Sequence, residues 1–208
     1  MSKPKVFVAR RIFQEAIDLI AAEAQVEVWQ DDLPPPRNVL LNKVGDIDGL
    51  LSLLTDTIDV DLMNKAPKLR VISQIAVGYE NIDIKEATQR RIPVGFTPEV
   101  LNSTTADMAF ALLMASARRL VEGSSAVKTG LWKTWHPLHF LGIDIHGNTL
   151  GILGMGRIGM EVAKRARGFD MRVLYYDIAR RSKEEEQRYN MEYRDLDALL
   201  EESDFVSI

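Results

Sequence analysis

The feature that most constrains the fold of this chain is a glycine motif in its second half, Gly154-Met155-Gly156-Arg157-Ile158-Gly159. An apolar stretch typical of a β-strand, residues 150–153, leads into the motif, and apolar residues at helical spacing follow it. A second apolar stretch, residues 172–176, ends at the acidic Asp177. This order, with an acid roughly 20 residues after the glycines, predicts a βαβ unit that binds a dinucleotide rather than a glycine-rich turn without function.

Each glycine of the motif has its own task in such a unit. Gly154 permits the tight turn out of the strand, Gly156 lets the backbone approach a pyrophosphate, and Gly159 lets the helix pack against the strand. The N–H groups and the positive dipole end of that helix would face the phosphates. Asp177 is placed to accept hydrogen bonds from an adenosine ribose, which favours NAD. NADP stays open, because Arg180 and Arg181 would hold a 2′-phosphate unless they are simply solvated surface charges.

Short apolar stretches alternate with amphipathic ones through the first half of the chain. This pattern predicts a mostly parallel sheet with helices on both faces. The predicted strands are residues 5–9, 26–29, 49–54, 69–76 and 92–96, and the predicted helices are residues 13–24, 39–44 and 84–90.

Gly78 lies just beyond the fourth of these predicted strands, residues 69–76. There, backbone N–H groups would point into the crevice where open α/β sheets bind ligands. Two interpretations are equally consistent with this segment. The N–H groups of Val77 and Gly78 would cradle a carboxylate, or the segment is a plain turn in which Asn81 or Asp83 caps the next helix.

A long helix is predicted to begin after residues 102–104 and to run through residues 106–121. Ser103 or Thr104 is expected to cap it, and Thr104 with Asp107 resembles a capping box that has Asp in place of Glu. Its interior is apolar nearly all round, so we expect it to lie between domains or at a subunit interface.

Composition limits the classes of protein that the chain can belong to. Its 208 residues allow one large domain or two small ones, and the net charge of -4 gives no reason to propose nucleic acid or an anionic membrane as a partner. The absence of cysteine excludes disulfides, thiolate metal sites and a cysteine nucleophile. The apolar run at residues 6–9 is too short for a signal peptide, and no stretch reaches the roughly 20 apolar residues of a membrane span. A cytoplasmic location is therefore expected.

Several motifs, taken together, closely resemble those of the D-2-hydroxyacid dehydrogenases. They are residues 77–83, 97–101 and 104–107 and the glycine motif, and residues 95–101 and 132–138 resemble the glyoxylate/hydroxypyruvate reductase branch of that family. Glu80 stands where Asp is usual. The resemblance implies an α/β fold: a flavodoxin-like substrate domain over residues 1–101, followed over residues 102–208 by the first half of a doubly wound Rossmann dinucleotide-binding domain, incomplete at its C-terminal side.

The resemblance also implies which residues would contact the substrate and the cofactor. Val77 and Gly78 would hold the substrate carboxylate, Leu54 would line the substrate pocket, and Trp135 would reach into the active site of the partner subunit of a homodimer joined through its nucleotide domains. The implied cofactor residues are Thr105 near the nicotinamide end, Met155, Gly156, Arg157 and Ile158 around the pyrophosphate, and Asp177, Ile178 and Ala179 around the adenosine ribose.

The activity implied is hydride transfer from NAD(P)H to a small 2-keto acid such as glyoxylate or hydroxypyruvate. The alternatives are another dehydrogenase of the family, of the phosphoglycerate or D-lactate type, or a non-catalytic dinucleotide sensor of the same fold. The family's catalytic Arg, Glu and His lie beyond the last strand present here, and no residue of this sequence matches them by motif. The 208 residues alone are therefore expected to be inactive. His136, His139 and His146 are interpreted as loop or surface residues, and no metal site is expected.

Overall fold

The computed structural model describes residues 3–208, and the chain divides into two units, Met1–Val100 and Leu101–Ile208, each built around its own parallel sheet. The elements of the first unit are β1 (Lys5–Val8), α1 (Gln14–Glu23), β2 (Gln25–Val28), α2 (Arg37–Lys43), β3 (Gly49–Ser52), α3 (Val60–Lys65), β4 (Val71–Gln74), α4 (Ile84–Gln89) and β5 (Val94–Gly95).

The first sheet has the strand order β2-β1-β3-β4-β5, and every pairing in it is parallel. This is the flavodoxin-like order, as predicted. Register places Phe7 beside Leu50 and Leu50 beside Ile72, and all three are buried. Leu40 of α2 and Leu62 of α3 belong to the same buried cluster, so these helices cover the sheet. Parallel strands that are buried on both faces read as continuous apolar runs, which is the pattern seen in this half of the sequence.

The second unit contains the glycine motif. Its elements are α5 (Asn102–Ala117), α6 (Leu120–Lys128), β6 (Thr149–Leu153), α7 (Arg157–Ala166), β7 (Arg172–Tyr176), α8 (Lys183–Tyr189), β8 (Met191–Tyr193), α9 (Leu196–Glu202) and β9 (Phe205–Ser207). The sheet order β8-β7-β6-β9 is again fully parallel and corresponds to the 3-2-1-4 portion of the doubly wound order. The predicted α/β fold with parallel sheets is therefore confirmed.

The single helix predicted over residues 106–121 is wrong, because the chain forms two helices there. Arg119 adopts a left-handed conformation with φ of 50°, which ends the first helical segment at Ala117 and lets α6 begin at Leu120. On α5, Phe110 is buried, whereas Met108 and Leu112 are 61% and 62% exposed. The apolar residues of α5 are thus divided between the core of the second unit and an uncovered face of that unit.

The predicted side-chain cap of this helix is also wrong. The helix begins at Asn102, and within residues 3–208 no side chain caps its first turn. Asp107 instead accepts a 2.6 Å hydrogen bond from Nε of Arg165 on α7, and Nη2 of Arg165 donates to the carbonyl of Ser103 at 3.0 Å. A tertiary ion pair to the neighbouring helix has therefore replaced the local capping box.

Candidate dinucleotide site and carboxylate site

The glycine motif forms a tight loop between β6 and α7. Gly154 has φ of +96°, a conformation that only glycine adopts without strain, and its N–H donates to the carbonyl of Tyr176 at 2.9 Å. A Cβ on Gly159 would lie 2.2 Å from the carbonyl oxygen of Gly154, so the helix approaches the loop too closely for any side chain there. A Cβ on Gly156 would meet no atom of the described residues within 4 Å, so space remains open beside this residue.

The start of α7 has the properties of an anion site. Gly156 is its N-cap, and in the described part of the chain no side-chain acceptor caps the helix and its first turn carries no acidic residue. The first N–H groups of the helix therefore lack intrahelical acceptors, and the positive end of the helix dipole lies beside the open space at Gly156. Met155 is fully buried, so its side chain belongs to the core of the unit and does not occupy the open space at Gly156. These features fit the pyrophosphate of a dinucleotide.

Asp177 lies directly against this loop. Its Oδ2 accepts a 2.7 Å hydrogen bond from the N–H of Met155, and its Oδ1 accepts a 3.3 Å bond from the N–H of Ala179. These backbone donors, that of Ala179 first, lower the pKa of the carboxyl group, so Asp177 is ionised at neutral pH. A carboxylate oxygen can accept more than one hydrogen bond, so Asp177 keeps capacity for a ribose hydroxyl. Ile178 and Ala179 follow it as exposed residues.

The two arginines after Asp177 are both engaged within the unit. Arg180 donates from Nε and Nη2 to the two carboxylate oxygens of Glu186, at 2.8 and 2.9 Å, and its guanidinium lies 5.1 Å from the ring centroid of Tyr193. Arg181 donates from Nε to the carbonyl oxygen of Met155 at 2.8 Å. Arg180 is still an exposed surface charge, with 56% of its side chain accessible, whereas Arg181 is not simply a solvated charge. Arg181 in particular contacts the glycine loop itself.

Three of the four residues expected to contact the substrate follow neighbouring strands of the first sheet, at the carboxyl ends of those strands. Leu54 follows β3, and Val77 and Gly78 follow β4, which is the parallel neighbour of β3. Leu54 is exposed, and within residues 3–208 the N–H groups of Val77 and Gly78 donate to no backbone carbonyl. A Cβ on Gly78 would lie 2.3 Å from Oε2 of Glu80, a movable side chain, so the backbone itself does not demand glycine here.

A chain of hydrogen-bonded polar side chains, which no sequence pattern predicted, supports these two segments. Ser52 donates to Oε1 of Gln74 at 2.7 Å, and Nε2 of Gln74 donates to Oδ1 of Asn81 at 2.7 Å. Nδ2 of Asn81 then donates to the carbonyls of Leu53 and Asp56, at 3.1 and 2.7 Å. Asn81 is therefore not the cap of α4. That cap is Asp83, which accepts from the N–H of Glu86 at 2.9 Å.

A buried carboxylate lies beside this chain of amides. Asp56 is 2% exposed, and its Oδ2 accepts from the N–H of Leu53 at 2.8 Å. Burial raises the pKa of Asp56, although Arg10 lies 3.8 Å away and opposes that shift. Nη2 of Arg10 also donates to Oγ1 of Thr55 at 2.8 Å. The sequence predicts this cluster only weakly. Its one sign is that single polar residues stand at or just beyond the ends of otherwise apolar strands.

The remaining predicted site residues lie in the second unit. Thr105 is exposed on the first turn of α5, and Trp135 is 77% exposed in the segment that joins α6 to β6. The rings of His136 and His139 stack with their centroids 4.3 Å apart. Among the residues that the structure describes, no group of three His, Cys, Asp or Glu side chains could hold a metal ion, and no helix has the length and apolar character to cross a membrane.

A parallel sheet that carries this glycine loop, with an acid after its second strand, defines a dinucleotide-binding α/β protein. Residues 110–208 match the family model described as D-isomer specific 2-hydroxyacid dehydrogenase, NAD binding domain. This part of the chain is therefore similar to the NAD-binding domain of the D-2-hydroxyacid dehydrogenases.

Similarity to individual proteins extends over nearly the whole chain. It is 54% identical over 207 residues to a glyoxylate reductase of Korarchaeum cryptofilum, covering 99% of this chain and 62% of that protein. It is 51% identical over 210 residues to a glyoxylate reductase of Thermococcus litoralis, covering 99% of this chain and 63% of that protein. The crystal structure of the TT0316 protein from Thermus thermophilus superposes with a TM-score of 0.89 at 41% identity, covering 97% of this chain and 63% of that chain. The chain thus spans somewhat less than two thirds of the length of these relatives.

Proposed function

We propose that this protein reduces a small 2-keto acid, such as glyoxylate or hydroxypyruvate, with hydride from a nicotinamide dinucleotide. The observation that carries the proposal is the 54% identity to a protein named glyoxylate reductase, over a chain that also holds the glycine loop and the Asp177 acceptor. The first unit would bind the substrate and the second the cofactor, and the division between the units lies within one residue of the predicted boundary between residues 101 and 102.

In this proposal the bound cofactor supplies the hydride, and the chain described here binds and orients the two reactants. The N–H groups of Val77 and Gly78 would donate to the substrate carboxylate, and Leu54 would pack against the short carbon chain of the acid. The first N–H groups of α7, from Arg157 onward, would donate hydrogen bonds to the pyrophosphate oxygens. Thr105 would contact the nicotinamide end of the cofactor. Trp135 would enter the active site of a partner subunit and limit substrate size.

A panel of keto acids tests the substrate class. With NADH present, the full-length protein is expected to turn over glyoxylate and hydroxypyruvate faster than pyruvate and 3-phosphohydroxypyruvate, with kcat/KM as the measured quantity. A preference for 3-phosphohydroxypyruvate or pyruvate would assign the protein to the phosphoglycerate or D-lactate type. Tight NADH binding without turnover of any acid would favour a dinucleotide sensor.

We further propose that NAD is preferred over NADP. The ionised Asp177 would repel a 2′-phosphate, and the two arginines that would attract one are already bonded, Arg180 to Glu186 and Arg181 to the carbonyl of Met155. The dissociation constants of NADH and NADPH, measured by fluorescence titration, test this proposal. Equal affinities, or tighter binding of NADPH, would overturn it.

We also propose that the protein is a cytoplasmic homodimer joined through the nucleotide unit. Exposed apolar side chains along α5 and α6 support such an interface, namely Met108, Leu112, Leu120 and Val121. Sedimentation equilibrium measures the mass directly, and a concentration-independent monomer mass would contradict the dimer.

A further inference from the structure

We propose that Arg181 is a positioning residue for the glycine loop of residues 154–159, called the phosphate loop below, and that it acts through the carbonyl group of Met155. The inference rests on the proposed dinucleotide function, because its consequence is for ligand binding. This positioning role is distinct from direct contact with a 2′-phosphate, which is the role that the sequence alone suggested for Arg181.

The contacts of Met155 carry the inference. On one side its N–H donates to the carboxylate of Asp177 at 2.7 Å. On the other side its carbonyl oxygen accepts from Nε of Arg181 at 2.8 Å, and Nη2 of Arg181 contacts the same oxygen. Both backbone polar groups of this one residue are therefore bonded to ionised side chains, and such charge-assisted bonds are about twice as strong as neutral ones.

Arg181 is itself fixed from the core of the unit. Its backbone N–H donates to the hydroxyl oxygen of Tyr175 at 2.9 Å, and that residue is fully buried in β7. The hydroxyl in turn donates to Oε1 of Glu186 at 2.7 Å, and Glu186 also binds Arg180. Burial and the contact with Glu186 raise the pKa of Tyr175 to about 12, so this hydroxyl keeps its proton and remains a donor at neutral pH.

The loop needs such support because of its sequence. Met155 lies between Gly154 and Gly156, and glycine restricts the backbone less than any other residue. Arg181 and Asp177 hold the peptide groups on both sides of Met155, and hence the direction in which the loop and the first N–H groups of α7 point. Pre-organised donors bind an anion more tightly than donors that must first be ordered. The two side chains would therefore strengthen binding of any ligand that places a pyrophosphate there.

This role and direct recognition of a 2′-phosphate predict different selectivity. A residue that orders the phosphate loop affects NADH, NADPH and ADP-ribose alike, because all three carry the pyrophosphate. A residue that binds the 2′-phosphate affects NADPH alone. Adenosine, which has no phosphate, is affected by neither role.

The test uses Arg181→Met, which keeps the aliphatic length and removes the donors, with Arg181→Lys as the conservative variant. Arg188→Met is the matched control, because Arg188 is a nearby arginine of α8 whose guanidinium lies over the ring of Tyr189, outside the loop. Arg181→Met is expected to weaken NADH, NADPH and ADP-ribose by a similar factor of about ten, the effect of losing one charged hydrogen bond. Arg181→Lys should restore part of this loss, and Arg188→Met should leave all three affinities unchanged.

Hydrogen exchange of the ligand-free protein supplies a measurement that does not depend on any cofactor. The amides of residues 155–159 are expected to exchange faster in Arg181→Met than in the wild type, while the amides of the β7 core keep their protection. Loss of NADPH affinity alone, or unchanged loop exchange with unchanged affinities, would overturn the inference. A wild-type protein that binds no dinucleotide would refute the proposed function, and the exchange result would still decide whether Arg181 orders the loop.

Discussion

Single residues in the glycine loop are constrained by different physical causes, although the motif presents them as one pattern. Gly154 is constrained by its backbone conformation, and Gly159 by the carbonyl that its Cβ would strike. Gly156 is constrained by neither, because the space beside it is open among the described residues. Gly159 is therefore required for the packing of the helix, and Gly156 keeps open the space that a ligand would occupy.

This difference predicts opposite outcomes for two alanine substitutions. Gly159→Ala forces the helix away from the Gly154 carbonyl, so we expect a loss of about 1–3 kcal/mol in the free energy of unfolding. Gly156→Ala is expected to cost about 1 kcal/mol or less, as at other N-cap positions, but to weaken NADH binding strongly because the methyl group fills the ligand space. Urea denaturation and NADH titration of both variants measure the two effects. Equal stability losses would show that Gly156 is also structural.

Asn81 makes the most contacts in the chain of amides beside the proposed carboxylate site. Asn81→Ala leaves the amide of Gln74 and the carbonyls of Leu53 and Asp56 without their shared partner, so we expect a loss of about 1–3 kcal/mol in the free energy of unfolding. The neighbouring Glu80→Ala is the control and should change stability by about 0.5 kcal/mol or less, since Glu80 is exposed. If the two variants were equally stable, the amide chain would contribute nothing to the fold.

Helices and strands were predictable where local pattern and tertiary structure agree. The strands of both sheets are apolar runs that end at turn residues, and α8 carries the full capping box of Ser182 and Glu185. At α5 the local pattern and the tertiary structure disagree, because Asp107 pairs with Arg165 of the neighbouring helix instead of capping its own helix. The break at Arg119 left no sequence signal, since a non-glycine residue rarely adopts the left-handed conformation.

The edge formed by β7, β8 and α9 is expected to respond to acid. Arg172 bonds to Glu192 and Glu202, and Arg194 bonds to the same two carboxylates. The bond from Arg172 is the main cause that lowers the pKa of Glu192 from 4.5 to about 2. Because this carboxylate is harder to protonate when folded, its contribution to stability is complete above its unfolded pKa and disappears as the pH falls from about 4.5 towards 2.

Arg172→Gln tests this pairing. The variant is expected to be less stable than the wild type at pH 7, by a modest amount because these side chains are partly exposed, and the difference should shrink as the pH falls below 4. Urea denaturation at several pH values between 7 and 3 measures both curves. A difference that stays constant over this range would mean that Arg172 acts through packing rather than through charge.

Across the full chain, the sequence could predict the two parallel sheets and the position of the phosphate loop, because both follow from residues close together in sequence. It could not predict the contacts that support the sites. Gln74 and Asn81 are brought together with Ser52 by the pairing of β3 with β4, and Met155 meets Arg181 across 26 positions. Such partners are set by tertiary packing, so a single sequence holds no local pattern for them.

The wholly parallel sheet of the second unit also governs the order in which this unit can assemble. Parallel neighbours cannot be joined by a hairpin, so no strand pairs with the one made just before it without a crossover. β6 lies between β7 and β9, and Leu150 pairs with Phe205, which a ribosome adds 55 residues later. The phosphate loop is therefore synthesised well before the strand that encloses β6 on its second side. Contacts so distant in sequence slow folding. During translation, β6 therefore stays uncovered on this side until β9 has been synthesised.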